Sequence, residues 1–215
     1  MNKEQILKIQ QELPKTVTLI AVSKMHTKAE IDEAYTLGCR IFAENKVQEM
    51  KQKYDPAYTW HMIGHLQRNK VKEVIGMVSM IQSVDSLRLA AEINKQCAKI
   101  VKTMPILIEV NISKEANKSG VFIEEVEAFL ASCMKYPHLD VQGLMCVGPL
   151  SEDEEEIEAC FETMHALYKK LQTIYGTEQI HCLSMGMSDD YHLALKHGST
   201  MVRLGSSIFG KRNYS

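Results

Sequence analysis

Short apolar runs alternate with longer amphipathic runs along this chain, and that alternation constrains its fold more than any other feature. Eight apolar runs have the length of strands; they cover residues 16–23, 40–43, 59–63, 78–83, 106–111, 140–146, 181–184 and 200–204. A helical run, Lys3–Glu12, precedes them. Strands that alternate with helices pair in parallel, because each helix returns the chain to the start of the next strand. The sequence therefore predicts an α/β protein built on a parallel sheet.

Eight strand–helix units favour a closed (β/α)8 TIM barrel with an extra N-terminal helix. The chain has 215 residues, somewhat fewer than the roughly 250 typical of that fold. A doubly wound open sheet is the alternative architecture. No Pro/Gly/Ser-rich linker or internal repeat interrupts the pattern. We therefore expect residues 1–215 to form one domain.

Two helical runs carry recognisable end signals. Thr27 can cap a helix that follows it, and Glu30 can reach back to the Thr27 backbone to complete a capping box. Gly38 supplies the stop. A later helix is predicted to begin at Ser151-Glu152-Asp153-Glu154, with acidic residues in its first turn, and to bury one apolar stripe. That stripe consists of Ile157, Phe161, Met164, Leu167, Leu171 and Ile174.

Charge and composition exclude several classes of partner. Lys and Arg number 25 against 27 for Asp and Glu, a net charge of −2, so no overall positive field exists to bind nucleic acid or an anionic membrane. The sequence shows neither a signal peptide nor an apolar run long enough to cross a bilayer. Its six cysteines form no CxxC pair, which predicts reduced thiols. We expect a monomeric cytoplasmic protein.

Lys24 follows the first predicted strand directly and is the first candidate for chemistry. In a barrel the functional side chains stand at the carboxyl ends of the strands. A lysine at that position is partly removed from water, which disfavours its charged form and leaves an amine able to form a Schiff base with an aldehyde. Alone this signal is weak, because many lysines end strands simply by reaching solvent.

The last two predicted strands end in Gly- and Ser-rich segments that favour a phosphate site. Gly205-Ser206-Ser207 follows strand eight and could open a short helix at Ile208, presenting backbone amides to an anion. The segment 184–188 follows strand seven, and the loops after strands seven and eight commonly bind phosphate in barrels. Arg203 lies between this cradle and the barrel interior. A lysine, an arginine and a phosphate cradle suit a flat phosphorylated aldehyde, pyridoxal 5'-phosphate.

The same segments closely resemble the YggS/PROSC-type pyridoxal phosphate homeostasis proteins, relatives of the alanine racemase N-terminal barrel domain. The resemblance runs nearly from end to end. The segments that carry it are AVSK (21–24), FAENKVQE (42–49), WHMIGHLQRNK (60–70), GLM (143–145), LSMGMSD (183–189) and GSTMVRLG (198–205).

The resemblance implies a role for each candidate residue. It implies that Lys24 holds pyridoxal 5'-phosphate as a Schiff base and that Arg203 faces the pyridine nitrogen. It implies phosphate contacts from Ser184, Gly205 and Ser206, and a pocket lined further by Asn45, His61 and Met185. An arginine at the ring nitrogen keeps that nitrogen unprotonated and weakens the cofactor as an electron sink. The implied function is intracellular cofactor homeostasis without specific catalysis, with apo-enzymes that need the cofactor as recipients.

Two enzymatic readings of the same residues stay open at this point. A pyridoxal-phosphate amino acid racemase needs acid/base groups on both faces of the substrate. In two-domain racemases a second domain supplies one of them, and this chain ends at Ser215; His61 or Cys146 would be imperfect substitutes. A Schiff-base lysine aldolase could use Lys24 on a sugar phosphate without any cofactor. His61 and His65 have the spacing of a metal pair, but Gly64 lies between them and His61 belongs to a strand, so they need not share a helix face and no metal is expected.

Overall fold

The structure is a computed structural model that describes residues 3–113 and 118–210. Its strands are β1 (Thr18–Val22), β2 (Ile41–Glu44), β3 (Thr59–Met62), β4 (Met80–Val84), β5 (Met104–Asn111), β6 (Val121–Phe122), β7 (Leu139–Cys146), β8 (Cys182–Ser184) and β9 (Met201–Leu204). Its α-helices are α1 (Lys3–Glu12), α2 (Lys28–Thr36), α3 (Val47–Lys53), α4 (Val71–Val74), α5 (Leu87–Lys99), α6 (Val126–Cys133), α7 (Glu154–Tyr175), α8 (Tyr191–Lys196) and α9 (Ser206–Phe209). Arg68–Lys70 and Ile123–Glu125 form short 3-10 helices.

Eight of these strands form a closed parallel barrel. The order around the sheet is β4-β3-β2-β1-β9-β8-β7-β5, and a further pairing of β4 with β5 closes it. The predicted TIM barrel with an N-terminal helix is confirmed, and the open-sheet alternative is excluded by that closure. Each predicted strand lies within two residues of the observed one at both ends. The short β6, which pairs with the end of β5, was not predicted because two residues are too few to show a pattern.

Side chains alternate across each strand, and this separates two apolar regions. One lies between the outer face of the sheet and the helices; it contains strand residues such as Phe42 and Trp60 and helix residues such as Phe161. The other fills the inside of the barrel with Ile20, Ala43, Met80, Leu107, Met145, Cys182 and Met201. Moving two residues along each strand keeps the same face and reaches the carboxyl end. There the inward positions are Val22, Asn45, Gln82, Glu109, Val147, Ser184 and Arg203. The barrel therefore has an apolar floor under a polar mouth.

The helix signals are confirmed with two exceptions, both in α7. Thr27 and Glu30 form the capping box at the start of α2, and Gly38 follows its end with a φ of +101°. Helix α7 begins at Glu154, three residues after the predicted start at Ser151, because Asp153 caps it; the helix buries most of the predicted stripe. Ile174 was expected in that stripe but is 47% exposed, while Tyr168 is buried. Because an α-helix has 3.6 residues per turn, the direction of the buried face has rotated away from Ile174 by the last turn of α7.

The six cysteines are free thiols, as the absence of paired spacing predicted. Five of them are buried and Cys160 is half-buried. Across residues 3–113 and 118–210, no helix combines the length and the hydropathy needed to span a bilayer.

Candidate functional site

A pocket of about 350 Å³ opens at the carboxyl ends of the strands, a volume within the usual range for small-molecule sites. Five of the predicted residues line it: Lys24, Asn45, Arg203, Gly205 and Ser206. The remaining wall consists of Val22, Ile63, Val147, Met187, Ser188 and Asp189. Parallel pairing places all strand ends at one rim, so residues distant in sequence meet here.

Lys24 is half-buried on a tight turn that follows β1. The turn begins at Ser23, whose hydroxyl donates a hydrogen bond of 2.7 Å to Oε1 of Glu44. Glu44 is fully buried and also forms an ion pair with Lys53, with 2.9 Å between Oε1 and Nζ. Burial raises the pKa of Glu44, while the Lys53 ammonium and the Ser23 hydroxyl oppose that rise. The base of the Lys24 turn is therefore anchored in a buried ionic cluster.

Arg203 is held from two sides inside the barrel mouth. Its Nη1 donates to Ser184 Oγ and its Nη2 to the Cys146 carbonyl, each over 2.7 Å. Its backbone amide donates to the Gly186 carbonyl over 3.0 Å. Only 4% of the residue is exposed, and burial lowers its pKa although nearby Glu109 opposes this. A guanidinium still keeps its proton, so the pocket contains a fixed positive charge.

A chain of hydrogen bonds continues from Arg203 across the barrel. Ser184 donates to Gln82 Oε1 over 2.7 Å, and Gln82 Nε2 lies 3.0 Å from His61 Nδ1. Because the Gln82 nitrogen is a donor, His61 Nδ1 must accept, which places the imidazole proton on Nε2. Burial lowers the pKa of His61 to about 4, so the ring is neutral near pH 7. The chain fixes the orientation of Arg203 without adding a second charge.

The loops after β8 and β9 meet in an amide cradle. The backbone amides of Gly205 and Ser207 each lie 3.2 Å from the Ser188 hydroxyl oxygen. Gly186 permits this arrangement, because its φ is +92° and a Cβ there would lie 2.6 Å from the Cβ of Ala194. Helix α9 begins at Ser206, two residues before the predicted start at Ile208. An anion that entered the cradle would replace the Ser188 oxygen as acceptor of the two amides and could accept a hydrogen bond from the displaced hydroxyl.

Asn45 adds an unsatisfied polar group to the pocket wall. Its Oδ1 is buried and makes no hydrogen bond within the described residues. Gly64 allows the neighbouring strand end to approach, since a Cβ there would lie only 2.3 Å from the Asn45 carbonyl oxygen. A buried acceptor without a partner costs about 1–3 kcal/mol. A ligand that carries a hydrogen-bond donor would recover that free energy.

The remaining predicted residues lie beneath the pocket wall. His61 and Ser184 belong to the interior hydrogen-bond chain, and Met185 is buried in the outer core with its amide bonded to the Met201 carbonyl. Sequence reasoning gave Ser188 no role of its own. No local signal separates it from Ser184, because both serines belong to one short segment and only the end of β8 decides which of them reaches the cradle.

His61 and His65 lie in different surroundings. The His65 side chain is 61% exposed and its Nδ1 lies 3.1 Å from Asp85 Oδ2, whereas His61 is inside the barrel. In the part of the chain that the structure describes, no group of three or more His, Cys, Asp or Glu side chains could hold a metal ion.

Comparison with known proteins identifies clear relatives. The family model described as "Alanine racemase, N-terminal domain" matches residues 3–213. A pyridoxal phosphate homeostasis protein of Aquifex aeolicus is 38% identical over 200 residues, which cover 91% of this chain and 87% of that protein.

Solved structures show the same likeness. PipY of Synechococcus elongatus PCC7942 is 33% identical; without pyridoxal phosphate it superposes with a TM-score of 0.92, covering 98% of this chain and 100% of that chain. With pyridoxal phosphate bound, the TM-score is 0.89, covering 97% and 99%. An alanine racemase of Clostridium difficile shares the fold alone: it is 17% identical with a TM-score of 0.78, covering 100% of this chain and 57% of that chain.

His61 gives the folding stability a defined pH dependence. Its pKa is about 4 when folded against about 6.5 when unfolded, so the unfolded chain takes up the proton first as the pH falls. We predict that wild-type protein loses about 2 kcal/mol more unfolding free energy between pH 7 and pH 5 than His61→Gln does. Urea titrations at both pH values measure this difference.

The comparison between variants isolates His61. Glu109, whose pKa burial raises to about 7, contributes in the opposite direction but is present in both proteins. Replacement of the exposed His181 by Gln serves as the matched control and should leave the wild-type dependence unchanged. Equal pH dependence in wild type and His61→Gln would show that His61 is not held neutral.

Proposed function

Because the chain belongs to the pyridoxal phosphate homeostasis protein family, we propose that it binds pyridoxal 5'-phosphate in this pocket and serves intracellular homeostasis of that cofactor without specific catalysis. One observation carries the proposal: Lys24, Arg203 and the cradle of Gly205 and Ser188 line a single pocket. These groups match the parts of the cofactor in number and kind. The aldehyde needs an amine, the ring nitrogen a polar neighbour and the phosphate a set of donors.

Lys24 is the residue that we assign to the aldehyde. When bound, pyridoxal 5'-phosphate supplies an aldehyde that condenses with a lysine amine to form a Schiff base. Lys24 is half-buried and lines the pocket, so a bound aldehyde can reach its side chain. Asn45, on the same wall, offers its amide to the polar substituents of the ring.

The amide cradle is the group that we assign to the phosphate. The Gly205 and Ser207 amides converge on one point, where both donate to the Ser188 hydroxyl oxygen. Converging amides bind anions without a full positive charge on the protein. Ser206 lies on the pocket wall beside them. The phosphate contact implied for Ser184 stays a prediction that its observed partners, Arg203 and Gln82, do not favour.

Arg203 supports a holding role rather than a catalytic one. A guanidinium only donates hydrogen bonds, so a ring nitrogen facing it stays an unprotonated acceptor and withdraws little electron density. Besides Lys24, the acid/base side chain among the described residues that line the pocket is the Asp189 carboxylate; His, Cys and Tyr are absent from that lining. Cys146 is fully buried, and burial raises the pKa of its thiol to about 12.

We also propose the oligomeric state of the protein, the recipients of its cofactor and the compartment in which it works. The working unit is a monomeric single domain, residues 1–215, and its recipients are apo-enzymes that need the cofactor. Release of the cofactor is supported by the exposure of the pocket rim, where Ser206 and Met187 contact solvent. The six free thiols support a reducing compartment such as the cytoplasm.

A Schiff base on Lys24 is testable by absorbance and mass spectrometry. Protein mixed with pyridoxal 5'-phosphate should show a band near roughly 420 nm, and borohydride reduction should leave the adduct on Lys24. Lys24→Ala should remove both signals, while Lys46→Ala, which alters an exposed lysine after β2, should keep them. A colourless, unmodified wild-type protein would contradict the cofactor assignment and favour the Schiff-base aldolase.

A ligand that lacks the phosphate distinguishes the roles of Ser184 and Ser188. Ser188→Ala should weaken binding of pyridoxal 5'-phosphate about tenfold, because one donor to the phosphate is lost, and leave binding of pyridoxal unchanged. Ser184→Ala should affect both ligands alike, since it releases Arg203. Equilibrium titrations of both ligands measure these effects. A loss confined to the phosphorylated ligand in Ser184→Ala would instead make Ser184 the direct phosphate contact.

A further inference from the structure

The turn that carries Lys24 has a strained backbone. It spans Ser23 to His26, and the His26 amide donates to the Ser23 carbonyl over 3.0 Å. Met25, its third residue, has a φ of +66°, whereas Lys24 is not in the left-handed region. That combination defines a type II turn, whose third position favours glycine. A residue with a Cβ pays for this conformation in free energy, so other contacts must hold it.

The side chain of Met25 does not supply those contacts. Met25 is 60% exposed, so its thioether chain gains little from packing. The stabilisation must therefore act on the backbone of the turn.

Glu49 acts on that backbone directly. Its Oε2 accepts a hydrogen bond of 2.8 Å from the amide of Met25, the strained residue itself. Glu49 belongs to α3, so the bond ties the turn after β1 to the helix after β2. Burial alone would raise the pKa of Glu49, but the Met25 amide and Lys53 outweigh it and hold that pKa below its usual value. A charged acceptor makes this bond stronger than a neutral one.

Lys53 holds both Glu49 and the other side of the turn. Its Nζ donates to the Ser23 carbonyl over 2.9 Å, to Glu44 over 2.9 Å and to Glu49 over 3.4 Å. These three bonds use all the donors of the ammonium, and only 9% of the side chain is exposed. Ser23 and Met25, the two neighbours of Lys24, are thus fixed by one ion pair four residues apart on α3.

We propose that Glu49, oriented by Lys53, is the positioning residue that holds the strained Ser23–His26 turn and thereby aims the Lys24 amine into the pocket. The inference rests on the role proposed for Lys24. Glu49 is not one of the residues that line the pocket; it acts through the backbone of Met25. A glycine at position 25 would adopt the same turn without help, so Glu49 becomes dispensable when Met25 is replaced by Gly.

Two measurements on Glu49→Ala test this. In the unloaded protein, the His26 amide, which closes the turn, should exchange with solvent hydrogen about tenfold faster, because an opened turn exposes it. The affinity for pyridoxal 5'-phosphate, followed by absorbance, should fall about tenfold. The double variant Met25→Gly/Glu49→Ala should recover most of both losses. A role in general stability would not produce that rescue.

Glu73→Ala is the matched control. Glu73 is buried to the same degree as Glu49 and also pairs with two lysines, Lys51 and Lys70, but does not touch the turn. The Glu73→Ala variant should keep the wild-type exchange rate of the His26 amide and the wild-type affinity for pyridoxal 5'-phosphate.

Each other outcome contradicts the proposal. Wild-type exchange at His26 in Glu49→Ala would show that the turn does not depend on Glu49. A loss that Met25→Gly fails to repair, including a failure to fold, would place the effect in the buried cluster rather than in the turn. The exchange measurement needs no cofactor, so a failure of Lys24 to bind pyridoxal 5'-phosphate is recognised separately in wild type.

Discussion

Closure of the sheet by the pairing of β4 with β5 is the constraint on which the rest of the structure depends. Once eight parallel strands form a ring, their carboxyl ends share one rim, and alternation along each strand decides which side chains point inward. The apolar floor containing Leu107 and Met145 excludes water from below. Lys24 and Arg203, 179 positions apart by their numbers, then line one pocket because β1 pairs with β9.

Burial of Arg203 shapes the chemistry that this pocket can support. A buried guanidinium is costly unless its donors are satisfied, and here Ser184 and the Cys146 carbonyl each accept from it. Gln82 and neutral His61 extend the chain without adding a competing charge. The hydrogen bonds that satisfy the donors of the guanidinium also fix its orientation. A rigid donor at this position suits a protein that holds an aldehyde cofactor more than one that stabilises a carbanion.

Sequence patterns predicted the fold well because buried parallel strands are continuous apolar runs. They also placed Lys24, Arg203 and Gly205 correctly on the pocket wall, since residues after a barrel strand must lie at its mouth. They did not separate Ser184 from Ser188, because the end of β8 decides which serine faces inward. The roles of Gln82 and Lys53 could not be predicted either. Gln82 meets Ser184 across 102 positions of sequence, and Lys53 acts on Ser23 across 30, so neither contact leaves a local pattern.

A crystal structure of the protein grown with pyridoxal 5'-phosphate tests most directly whether this pocket holds the cofactor. We expect continuous density from Lys24 Nζ to the cofactor, with Arg203 beside the ring nitrogen. We also expect the phosphate within hydrogen-bond distance of the Gly205 and Ser207 amides. Cofactor bound elsewhere, or bound here with its phosphate away from those amides and Lys24 unattached, would show that the pocket does not hold the cofactor in this way.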